Sequence, residues 1–137
     1  IYLSICQSID DFKKTVSFKK IEIDSTDLLP WHMSLFSHDD TLYAIIACAK
    51  KNCKKITMQP YLGRFDKDLS MLHIYMKPLV GLNSYRGAAC VLSDGRFVLY
   101  STTVYEKIDG SKSVDGRNVL LANTPFNNLL KSLQNED

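Results

Sequence analysis

Residues 30–36 (PWHMSLF) and 84–91 (SYRGAACV) state the same pattern twice, and an internal repeat constrains a fold more tightly than any single motif. Each stretch sets an aromatic residue before one that can carry positive charge, His32 or Arg86, and then runs into a short apolar strand. An acidic turn and a second apolar strand follow in both, as SHDDTLYAIIACA and as LSDGRFVLYSTT. The separation is 54 residues from His32 to Arg86 and 55 from Asp39 to Asp94. A period of that length marks a recurring supersecondary unit.

The pattern extends outwards from these anchors. IYLSICQSIDDFKK, from Ile1, matches the second strand of a unit and its turn. Near the other end, residues 113–117 (SVDGR) echo residues 8–12 (SIDDF), and both read as a tight acidic turn between second and third strands. The chain thus contains the back half of one unit, a complete unit from about Trp31 to Leu79, and most of another from Tyr85 onwards. The period lies slightly above that of β-propeller blades. The expected fold is all-β: a partial β-propeller of about two and a half four-stranded blades, with a short C-terminal helix. So few blades cannot close a ring. Open strand edges and an uncovered apolar face invite association, with a second copy or with the rest of the propeller.

With 137 residues, 45% of them hydrophobic, the chain is long enough for one domain, residues 1–137, with its own core. A formal net charge of +2 makes no strong field, so composition points to neither a nucleic-acid partner nor an anionic membrane. No apolar run approaches the ~20 residues of a membrane-spanning helix. The first residue is Ile1 rather than Met, and the first unit lacks its first strand. These features lead to the expectation that the chain is the C-terminal part of a longer propeller polypeptide.

Strand signals dominate. LYAIIACA, FVLYSTTV and YLSIC are rich in β-branched and aromatic residues and alternate with Asp, Gly, Ser and Lys turns. VSFKKIEID, KITMQPYLGRF, MLHIYMKPL and NVLLA fit as patchier third and fourth strands. One helix is expected at the end, with Thr124 as cap, Pro125 at its first position, and Phe126, Leu129, Leu130 and Leu133 forming an apolar stripe. Glu136 and Asp137 oppose the helix dipole and predict a frayed last turn. Of the four cysteines, Cys6, Cys48 and Cys90 fall within apolar strands and read as small buried hydrophobes, and Cys48 and Cys53 stand where a hairpin disulfide is an alternative.

LPWHMSLF with its acidic turn and LYAIIACA, followed by YLGRFDKDLSMLHIYMKPL and YRGAACVLSDGRFVLYSTT, resembles the five-bladed β-propeller glycosidases, the arabinanase, xylosidase and levansucrase-like group. In that family the innermost strand of each blade starts at a central funnel, where two carboxylates act as general acid and as base or nucleophile. Here the two innermost starts carry Trp31-His32 and Tyr85-Arg86 and no Asp or Glu. The resemblance therefore implies a carbohydrate-active protein whose catalytic residues lie outside this chain, with Trp31, His32, Tyr85 and Arg86 as substrate-binding residues. Trp31 and Tyr85 suit stacking on sugar faces, and Arg86 offers a planar fork of donors. The implied partner is an oligosaccharide or polysaccharide. A non-catalytic glycan-binding propeller and a structural or oligomerising β domain are the alternatives.

Weaker constellations remain. His32, His38 and His73 lack metal-ligand spacing, and no cofactor is expected, since neither a Gly-rich phosphate loop nor a nucleophile elbow is present. Residues 50–55 (KKNCKK) read as a solvated turn. Asp115 and Arg117 are expected to brace a loop, and Asp24 and Asp27, just before the first inner strand, are the outside candidates for catalytic carboxylates. Arg86 is expected to be buried against a carboxylate or a glycan, beside a Gly87 that allows close approach.

Overall fold

The computed structural model describes residues 2–5, 17–53, 58–80, 84–106 and 113–134. Ten strands and one helix occur there. The centre is an antiparallel meander of β4 (Leu28–His38), β5 (Thr41–Lys50), β6 (Met58–Phe65) and β7 (Met71–Ile74), to which the two-residue β3 (Glu22–Ile23) adds in parallel beyond β7. A second antiparallel sheet contains β8 (Ser84–Val91), β9 (Arg96–Glu106) and β10 (Ser113–Pro125), and β1 (Tyr2–Ile5) pairs with β2 (Ser17–Lys20). The protein is mostly β, a curled mixed sheet forming half a barrel with one short helix, α1 (Phe126–Gln134).

The two repeated hairpins share one pairing register up to their tips, where they differ. In the first, His38 pairs with Thr41 across a two-residue turn whose Asp39 and Asp40 both have positive φ, 48° and 59°. That is the mirror-type turn whose twist matches the strands. In the second, Leu92 N–H donates to Arg96 C=O and Gly95 N–H to Leu92 C=O, both at 2.8 Å, so the turn holds a third residue. Gly95, at φ 89°, takes the left-handed position that glycine occupies without strain. This one added residue accounts for the change in separation from 54 between the first strands to 55 between the second.

β5 is buried on both faces, which explains its unbroken apolar sequence. Ala44, Ile46 and Cys48 join Ile21, Leu28, Tyr61, Phe65 and Leu72 on one side of the sheet. Tyr43 and Ile45 face the other way, with Phe36 and Leu62, into a core shared with Phe97, Leu99, Phe126 and Leu133. Fully burying a side chain such as Ile45, 0% exposed, contributes about 1.5–3 kcal/mol. β8 lies against this second face: Ser34 Oγ donates to Gly87 C=O at 2.6 Å, and a Cβ on Gly87 would stand 2.9 Å from Ile45 Cγ2. The close approach expected at Gly87 is made by the neighbouring sheet.

The helix packs as its stripe predicts, with Phe126 and Leu133 buried and Leu129 and Leu130 partly so. Pro125 closes β10 by pairing with Arg96, and the helix starts at the next residue. Phe126 N–H donates to Gly95 C=O at 2.7 Å, while its ring lies edge-on to Tyr43 at 5.1 Å and stacked on Phe97 at 5.4 Å. One side chain thereby ties the tips of both hairpins together.

Several expectations are corrected. Residues 113–117 belong to β10 and pair with β9, so they form a strand and no turn; the side chain of Asp115 and residues 8–12 lie outside the described residues. The units are unequal: the first gains a fifth strand, and the second has three strands followed by the helix. Cys90 is exposed because it projects from the outer face of the second sheet, which nothing covers among the described residues. Cys48 is buried and Cys53 exposed, both as free thiols, and Cys6, Glu136 and Asp137 lie outside the described residues.

Candidate functional site

The start of each repeat carries the same backbone irregularity. On β4 the pairing passes from Pro30 opposite Cys48 to His32 opposite Ala47, leaving Trp31 as an extra residue. On β8 it passes from Ser84 opposite Thr103 to Arg86 opposite Thr102, leaving Tyr85 as the extra one. These are β-bulges, which re-aim side chains at strand ends. Pro30, without an N–H, is tolerated beside a bulge on an edge strand. At the matching place Ser84 is fully buried, and its Oγ lies 2.6 Å from Ser101 Oγ and 3.2 Å from Arg86 C=O. Ser84 has one hydroxyl proton; with that proton on Arg86 C=O, Ser101 donates to Ser84.

The bulges lie close together. Ser34 follows His32 by two residues and Gly87 directly follows Arg86, so the Ser34–Gly87 hydrogen bond joins the strands just beyond both irregularities. Trp31 is 77% exposed and borders an open groove of about 360 Å³ with Lys50, Lys51, Asn52, Cys53 and Met58. His32 is half-buried on the face turned to the second sheet, and its Nδ1 is inaccessible and without a hydrogen-bond partner. Arg86 is exposed on the outer face of the second sheet, so the expectation of a buried guanidinium is corrected: the face it shares with Thr102 is uncovered. The side chain of Tyr85, and Lys54 and Lys55, lie outside the described residues.

Asp24 is committed to structure. Its Oδ1 accepts Ile74 N–H at 2.9 Å and its Oδ2 lies 3.0 Å from His73 Nδ1, clamping the chain after β3 to β7. Asp24 thus has a backbone amide and an imidazole as partners in the fold. Asp27 is exposed, and its carbonyl accepts Lys51 N–H at 2.8 Å. His38 lies edge-on to Phe126 at 5.3 Å with Nε2 3.3 Å from Asp39 Oδ2.

Two features were not foreseen from sequence. Tyr61 is fully buried beneath the first sheet with its hydroxyl unpaired, and burial, then Cys48 and Cys53, push its pKa up. Burial likewise pushes the Cys48 thiol up to about 12. The paired bulges were missed as well, although an aromatic residue directly before the repeated His32 and Arg86 was the available signal. No family model matches the chain, and neither does any curated protein or solved structure.

Proposed function

We propose that this chain is the saccharide-binding part of a carbohydrate-active β-propeller, its two hairpin units being neighbouring blades and its catalytic acid and base being supplied by residues outside it. The observation that supports this reading is the matched pair of bulges at Trp31 and Tyr85, beside which Trp31 on β4 and Arg86 on β8 stand in solvent. An exposed indole suits the C–H face of a pyranose or furanose, and the groove beside it supplies amide and ammonium donors from Asn52, Lys50 and Lys51. Glycoside hydrolysis needs two carboxylates, and the bulged pairs Trp31-His32 and Tyr85-Arg86 have none.

Calorimetric titration of the chain with neutral and acidic oligosaccharides tests the proposal. Binding of at least one class is expected, without hydrolysis, and Trp31→Ala and Arg86→Ala each weaken it while leaving the melting temperature unchanged. Removing the charged hydrogen bond of Arg86 should cost roughly 1.5–3 kcal/mol of binding free energy. Failure of every saccharide to bind, or equal affinity in both variants, overturns the assignment. The glycosidase and the non-catalytic glycan-binding readings are separated by the parent polypeptide: turnover there, with none in this chain, selects the enzyme.

A further inference from the structure

The outer face of the second sheet is built in cross-strand rows. Arg86, Thr102 and Arg117 form the first; Ala88, Tyr100 and Val119 the second; Cys90, Val98 and Leu121 the third. Moved back by one repeat, the β8 and β9 members of these rows fall on His32 and Ala47, Ser34 and Ile45, Phe36 and Tyr43. These are the rows of the first sheet that face β8.

The two copies of this face have opposite fates. In the first sheet it is closed: Ile45 and Leu62 are 0% exposed and Ala47 2%, with Gly87 of the following sheet lying on Ile45. In the second sheet it is open, with Val119 69%, Leu121 46% and Tyr100 39% exposed. The covered copy identifies the occupant, because what covers it is the next sheet of the same repeat, arriving edge strand first, with the helix that follows that sheet closing over Phe36 and Tyr43 through Phe126. A contact of this head-to-tail kind presents one face of each unit to the other face of the next, and so leaves the last unit uncovered.

We propose that the open face of β8, β9 and β10 docks a further sheet of this repeat, one that presents a small residue where Gly87 meets Ile45 and carboxylates opposite Arg86 and Arg117. The carboxylates follow from charge: two guanidinium groups share the first row, neither makes an ion pair among the described residues, and covering them unpaired would be costly. This proposal rests on the repeat and not on saccharide binding, with which it competes for Arg86 alone: where the further sheet is docked, Arg86 pairs with its carboxylate and Trp31, on the first sheet, remains for the sugar.

Cys90 reports on the face directly. Alkylation followed by mass spectrometry on the polypeptide as its cell makes it compares Cys90 with Cys53, which is exposed elsewhere and serves as the standard. Cys90 should react at least about tenfold more slowly, since thiol reactivity follows exposure. Val119→Glu, in the middle row of the face, should return the rate to that of Cys53 while leaving the circular dichroism spectrum unchanged. Equal rates in the unmodified protein overturn the proposal. So does protection that vanishes on dilution as a dimer becomes a monomer, because the occupant is then a second copy rather than a further sheet of the repeat.

Discussion

Gly87 and Ile45 approach so closely that a methyl group on the glycine would stand 2.9 Å from Ile45 Cγ2. Ile45 is wholly buried at the middle of β5, and Ser34 pins the same stretch of β8 through the Gly87 carbonyl. Gly87→Ala should therefore destabilise the protein by about 1–3 kcal/mol through overpacking, measured as a lowered denaturation midpoint. A midpoint equal to that of the parent would mean that the two sheets are not in contact there.

Phe126 is the second place where the sheets are held, and its ring touches Phe36, Tyr43 and Phe97 as well as His38. Phe126→Ala should cost about 3–5 kcal/mol. The helix should then exchange its amide hydrogens faster than β5, since its anchor is lost while the meander remains paired.

Asp66 supplies a pH-dependent contribution. Its Oδ1 accepts Ser70 N–H at 2.8 Å and Met71 N–H at 3.1 Å, its Oδ2 accepts Ser70 O–H at 3.0 Å, and these bonds lower its pKa from 3.8 to about 2. A carboxyl with a depressed folded-state pKa stabilises the fold above its unfolded value, and that contribution is lost as pH falls towards the folded value. The melting temperature should drop between about pH 4 and about pH 2, with a smaller drop in Asp66→Asn. Parallel curves for the two proteins would remove Asp66 from the account.

Asp24→Ala should lower stability by about 1–3 kcal/mol, because Ile74 N–H is left without its acceptor, and should leave the saccharide affinity of the folded protein unchanged. Lost affinity at full folding would give Asp24 a part in saccharide binding beyond its hold on Ile74.

The strands and the helix were legible in sequence because each is written locally, as in the apolar run of β5 or the stripe from Phe126 to Leu133. The repeat was legible for the same reason. Pairings between distant segments were not: Glu22 opposite Met71 leaves no mark on either neighbourhood, and nothing near Asp24 in sequence shows that it holds Ile74, 50 residues away. The outward face of β8 was also hidden, since SYRGAACV offers small residues on both sides and nothing local says which side is covered. Arg86 and Cys90 were misplaced into the interior on that account.

The single-residue difference between the hairpin tips bears on how such a chain can diverge. From Trp31 to His38 and from Tyr85 to Leu92 the spacing is the same, so the change of length falls wholly between the last paired residue of one strand and the first of the next. Insertions and deletions at residues 39–40 and 93–95 shift no side chain from one face to the other, whereas one added residue between a bulge and its tip would invert every position after it. The tips are thus the part of each hairpin in which lineages are free to drift in length, and exchanging the two turns should yield chimaeras that keep both sheets.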